Sequence, residues 1–269
     1  MGNSDTLFIV VRKAFRRLLF ILPAFVVAGG IWVAGDCTRF VRTDPLSESP
    51  TPSGYSTETQ GENLQNDPVR NVLLVHGIFD TSNKFKYLGR RLEEHGFHIV
   101  VIDLKPSNAS EGLDPLAGQI AELVESQFGD EPFALVGYSM GGLVSRAYLQ
   151  KIVENKEQIV GFATISTPHH GSLWGWLHPS KGARQMRPGS QWMQDLNRNP
   201  DCIRELPFLS LWSPLDLMIV PSWSSRTDLG KESLHWVPAH PLMLFNPGVA
   251  NRLADFLKKT YDHFERGSD

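Results

Sequence analysis

Cysteine is nearly missing from this sequence. Cys37 and Cys202 are the only two. They are too few for a disulfide framework, and neither stands in a C-x-x-C or zinc-type spacing. The redox compartment is therefore left open. An excess of charge is missing as well, since 26 Lys and Arg stand against 29 Asp and Glu, a formal net charge of −3. The main body has no basic stripe interleaved with aromatics, so no nucleic-acid partner is expected. No segment repeats. What remains is 269 residues, 41% hydrophobic and 20% charged, enough for a sizeable core in one α/β domain of ordinary size.

Long apolar runs are also scarce, with one exception at the start. Arg12, Lys13, Arg16 and Arg17 precede an uncharged run over residues 18–35, LLFILPAFVVAGGIWVAG. Its length sits near the lower edge of what a spanning helix needs, and above the apolar region of a cleavable signal. Residues 1–43 are accordingly expected to form a single-pass membrane anchor that places the rest of the chain on the non-cytoplasmic side. Secretion after signal cleavage is the alternative, favoured by Pro23 and the Gly29-Gly30 pair. Asp36 before Cys37 argues against a lipoprotein cleavage box. Residues 44–68 are rich in Pro, Ser and Thr with little to bury, which predicts a disordered polar linker.

From Val69 onward short apolar strands and amphipathic helices alternate: NVLLVHG, KFKYLGRRLEEHG, HIVVID, PLAGQIAELVESQF, FALVGY, IVGFATIS. This rhythm predicts parallel βαβ units with helices on both faces of the sheet. Residues 172–207 interrupt it with Trp, Met, Gly and Pro and no strand character. It resumes with FLSLWS, a short strand near ESLHWV that contains His235, and a closing helix over PGVANRLADFLKKTY, with His263 in a polar tail beyond it. Residues 69–269 are thus read as one domain.

The stretch GYSMG, residues 137–141, lies between a buried strand and an amphipathic helix. Two glycines flanking a serine at this spacing suit a tight strand-to-helix turn, in which the serine accepts strained angles and lifts its hydroxyl above the sheet. The first N–H groups of the following helix, beginning with Met140, favour a developing oxyanion. A serine hydroxyl is a weak nucleophile at neutral pH, so a base and an orienting acid are required further along the chain. Asp216, in a loop after FLSLW bracketed by Pro214 and Pro221, is the candidate acid, with Asp228 behind it. His240, between the last strand and the closing helix, is the candidate base. His169 and His170 read as shaping their loop. After the first strand, His76 and Gly77 make a turn that can present the N–H of Ile78 beside that of Met140.

Taken in order, VHGIFD, VGYSMGGLVSRAYL, ISTPHHGS, SPLDLMIVP and AHPLMLFNPGV resemble the motifs of bacterial triacylglycerol lipases and the related inositol-deacylase-like group of α/β-hydrolases. The resemblance covers roughly residues 69–257. It implies the α/β-hydrolase fold, with a mostly parallel central sheet, helices on both faces and a small cap over about 172–207. It also implies Ser139 as nucleophile, Asp216 as acid, His240 as base, and the backbone N–H groups of Ile78 and Met140 as the oxyanion hole. One departure is Ala239, where the family often has glycine. Six of the seven tryptophans lie between Trp174 and Trp236, where an acyl chain would enter.

The expected activity is hydrolysis of carboxylic esters with apolar acyl groups through an acyl-enzyme. No metal or organic cofactor is implied, and the expected partners are a lipid or other apolar ester and, through the N-terminal segment, a membrane. Acyl transfer and thioester cleavage use the same residues. A non-catalytic binding module would be expected to have lost Ser, Asp or His, and all three are present.

Overall fold

The computed structural model of the chain describes residues 69–267. The anchor and linker expected over 1–43 and 44–68 lie outside them, and among the described residues no helix is long and apolar enough to cross a membrane. Six strands form one sheet in the order β2-β1-β3-β4-β5-β6, every pair parallel. They are β1 (Asn71–Val75), β2 (His98–Ile102), β3 (Phe133–Tyr138), β4 (Ile159–Ile165), β5 (Phe208–Trp212) and β6 (Lys231–Leu234). Helices α1 (Lys86–Glu93), α2 (Leu113–Gln127) and α3 (Met140–Lys151) return between the early strands, and α7 (Pro247–Gly267) closes the chain.

Strand side chains alternate between two cores, as the two-residue period of a pleated strand requires. Leu73, Val75, Phe133 and Leu135 pack with Leu116, Ile120, Leu143 and Val144 of α2 and α3. Val72, Leu74, Ala134, Val136 and Tyr138 pack on the other face with Leu88 and Leu92 of α1 and Leu253 and Leu257 of α7. Each such leucine or valine, removed from water, contributes roughly 1.5–3 kcal/mol. The register sets Val75 opposite Gly137 and Ile165 opposite Tyr138. The loops after β1, β3, β5 and β6 therefore emerge together at the carboxyl end of the sheet, where ligands meet open α/β sheets.

Between β4 and β5 the chain forms three short helices, α4 (Lys181–Gln185), α5 (Gln191–Arg198) and α6 (Asp201–Arg204). The hydroxyls of Ser180 and Ser190 accept the N–H groups of Ala183 and Met193 and so cap the first two.

Two sequence expectations need correction. β6 ends at Leu234, so His235 follows the strand instead of lying in it. α7 runs to Gly267, so His263 is on the helix and not in a tail. Its last turns are held by Arg70, whose guanidinium pairs with Asp262 and Glu265 at 2.8 Å each.

Candidate active site

Ser139 joins β3 to α3 with φ 54° and ψ −123°, a region that costs a non-glycine residue about 1–3 kcal/mol. Its N–H donates to Ile165 O at 2.9 Å, which extends the β3–β4 ladder into the turn and fixes the strained residue. The flanking glycines are required by close approach. A Cβ on Gly137 would lie 2.3 Å from Gly142 Cα, and one on Gly141 would lie 2.1 Å from Val75 O. A Cβ on Gly77 would lie 3.1 Å from Ser139 Cβ, so the turn after β1 rests directly against the serine.

The direction of that turn is set by His76, which is fully buried. Its Nε2 accepts the Leu104 N–H at 3.0 Å, so its Nδ1 carries the proton and donates to Gly77 O at 2.8 Å. In a trans peptide the Ile78 N–H points opposite to the Gly77 carbonyl, so holding the carbonyl aims the N–H. Met140 opens α3, and its N–H has no carbonyl four residues back within the helix.

Asp216 lies in the turn after β5 with 3% of its surface exposed. Its Oδ1 accepts the N–H groups of Met218 at 2.9 Å and Ile219 at 3.1 Å, an aspartate turn that fixes the carboxylate. Its Oδ2 receives Nδ1–H of His240 at 2.7 Å, which leaves Nε2 as the acceptor of the neutral ring. His240 opens a 3-10 turn, His240–Phe245, and is buried. Its ring packs on Tyr138, the neighbour of Ser139, with centroids 4.8 Å apart. Burial, and then the nearby carboxylates of Asp80 and Asp216, push the Tyr138 hydroxyl far above its ordinary pKa, so it remains neutral. Among the described residues Ser139 Oγ has no hydrogen-bond partner; contacts of this kind often close only when substrate is bound.

The other candidates are engaged elsewhere. Asp228 is exposed and pairs with Arg204 at 2.8 Å, which holds its carboxyl below the usual range. His235 is half-buried, shares a hydrogen bond with Ser233 Oγ at 3.0 Å, and is pulled down in pKa by burial and then by Arg252. His169 is buried and accepts from Arg146 at Nδ1, 3.4 Å, while its Nε2 meets Thr164 Oγ1 at 3.1 Å. Thr164 donates onward to Ser210, and Ser210 to Ser225 O. This buried polar chain escaped the sequence reading because bonded neighbours in it are up to 46 residues apart. Of the six later tryptophans, Trp192 and Trp212 are buried and Trp174, Trp176, Trp223 and Trp236 are exposed.

Two surface clefts, of about 410 and 560 Å³, lie apart from this arrangement, one lined by Phe208, Lys231 and Phe256 and the other by His170, Trp223 and Glu232. Neither is lined by Ser139, Asp216 or His240. Among the described residues no three His, Cys, Asp or Glu side chains are grouped to hold a metal ion.

The sequence profile of the α/β hydrolase fold matches residues 70–205, which includes β1, the Ser139 turn and α3. The chain belongs to the α/β-hydrolase fold family. Among curated proteins it is 32% identical over 119 residues to lysosomal thioesterase PPT2 of Mus musculus, covering 40% of this chain and 39% of that protein. The Homo sapiens thioesterase is 31% identical over the same length. The chain thus spans about two fifths of these relatives. Among solved structures, the mature Bacillus licheniformis lipase BlEst2 superposes with a TM-score of 0.58 at 18% identity, covering 71% of this chain and 96% of that one. Aspergillus fumigatus lipase B gives 0.61 at 17% identity, covering 71% and 52%. At these identities the structures show a shared fold alone.

Proposed function

We propose that this α/β-hydrolase is a serine hydrolase of carboxylic esters with apolar acyl groups, of the bacterial lipase and inositol-deacylase-like kind. The observation that carries the reading is the buried 2.7 Å pair of Asp216 and His240 beside the strained Ser139 turn. Ser139 Oγ attacks the acyl carbonyl carbon as His240 Nε2 takes its proton, and Asp216 stabilises the imidazolium formed. The N–H groups of Ile78 and Met140 receive the oxyanion. Collapse expels the alcohol, protonated by His240, and water repeats the sequence on the acyl-enzyme to release the acid.

The surroundings support an apolar substrate. Among the described residues, eleven of thirteen exposed large apolar side chains follow the carboxyl ends of β1, β4, β5 and β6, including Phe79, Trp176, Leu217, Trp236 and Phe245. The indole of Trp174 donates to Leu217 O at 2.7 Å, which ties the segment after β4 to the Asp216 loop. Residues 18–35 are proposed as a membrane anchor of the same chain.

Cleavage of thioesters is the second reading, favoured by the thioesterase relatives. A panel of p-nitrophenyl esters of rising chain length, with an S-acyl compound of matched length, tests both on the full chain. Rates that climb with chain length support the proposal, and a strong preference for sulfur supports the second reading. Failure to cleave any of them contradicts both.

A further inference from the structure

We infer that Ser213 is a positioning residue that sets the separation of Asp216 and His240; the inference rests on the proposed reading of that pair. Ser213 follows directly on β5 and is 1% exposed. Its hydroxyl donates to Val237 O at 2.7 Å and accepts the N–H groups of Leu215 at 3.1 Å and Val237 at 3.3 Å. One donor and two acceptor sites exhaust what a hydroxyl offers. Its own carbonyl accepts the Asp216 N–H at 3.3 Å. A single residue thus shapes the turn that carries the acid and fastens it to Val237, on the approach to the base.

Few other hydrogen bonds hold these loops in register. Between residues 213–221 and 236–246 the only other hydrogen bond among the described residues is the Asp216–His240 pair itself. The β5–β6 ladder ends just before, with the His235 N–H donating to Trp212 O at 2.8 Å. Beyond that point, apart from the Ser213 bonds, the two loops converge on one 2.7 Å contact. Loss of the Ser213 hydroxyl leaves the Leu215 N–H without its acceptor, removes the bond to Val237 O, and frees the acid turn to move relative to Val237. The Asp216–His240 bond, which selects the Nδ1–H tautomer, then loses its geometry.

The test compares Ser213→Ala, Ser213→Thr and Asp216→Asn in the full chain, with circular dichroism to count folded protein and steady-state ester hydrolysis to give kcat and KM per folded enzyme. Ser213→Ala is expected to lower kcat about 10- to 100-fold, a larger change than in KM, on the scale of an indirectly supported catalytic group. Ser213→Thr, which keeps the hydroxyl, restores most of kcat. If Ser213→Ala does not fold, Ser213→Cys, which retains the size with a much weaker donor, gives the same readouts. The inference is overturned if activity falls only in proportion to folded protein, or if kcat per folded enzyme falls and threonine does not restore it. It is also overturned if the alanine variant is unchanged while Asp216→Asn is impaired. Unchanged hydrolysis in Asp216→Asn would instead overturn the reading of the acid–base pair.

Discussion

The carboxylate of Asp216 and the imidazole of His240, 24 positions apart, meet at 2.7 Å in a site nearly closed to solvent. His235 is five residues earlier, yet it faces Ser233 and receives no carboxylate. His240→Ala should therefore lower kcat by on the order of 10⁴–10⁶ with the fold intact, and His235→Ala should cost little chemistry. Steady-state kinetics on the two variants checks this, and loss of activity in His235→Ala alone would reverse the assignment.

The glycines around Ser139 predict two different failures. A Cβ at Gly141 meets the backbone of Val75 at 2.1 Å, and backbone of a central strand cannot yield. Gly141→Ala should lose on the order of 1–3 kcal/mol of stability or more. A Cβ at Gly77 meets Ser139 Cβ at 3.1 Å, a contact relieved by a small shift of the nucleophile. Gly77→Ala should stay folded and lose kcat. Denaturant titration together with kinetics separates the two.

Acid should destabilise the fold through His169. Burial, then the charge of Arg146, then His170, depress its pKa well below the ordinary 6.5. The unfolded chain takes a proton below that value and the folded chain refuses it. The contribution to stability is complete above about pH 6.5 and is lost as the pH falls, by up to about 1.4 kcal/mol per unit. Unfolding free energy measured between pH 7 and 5 should fall more steeply in the wild type than in His169→Asn, even if the variant is less stable throughout.

The sheet and the serine turn were legible in the sequence because local rules govern them. Apolar runs bounded by turns specify buried strands, and glycines two residues either side of Ser139 answer to contacts at 2.3 and 2.1 Å. Asp216 and His240 could be chosen from chain order, since each falls in a loop leaving the carboxyl end of a strand. The end of β6 was less legible, because KESLHW continues the polar and apolar alternation past Leu234, where the ladder stops. The short helices after β4 escaped notice although Ser180 and Ser190 announce their starts. Arg146, His169 and Thr164 could not have been linked by any local rule. Their contacts join α3 to the segment after β4 across the core.

Residues 18–35 should remain in the mature protein as an anchor. N-terminal sequencing of protein extracted from membranes decides it, and a mature chain starting near Asp36 would establish a cleaved signal in its place.

The central claim is that Ser139 is the acyl-accepting nucleophile. Its most direct test is labelling of the full chain with a fluorophosphonate, followed by peptide mapping by mass spectrometry. The account predicts one stoichiometric adduct on Ser139, formed with loss of ester hydrolysis and greatly slowed in His240→Ala. An adduct on a different serine, or full inhibition with Ser139 unmodified, would contradict it.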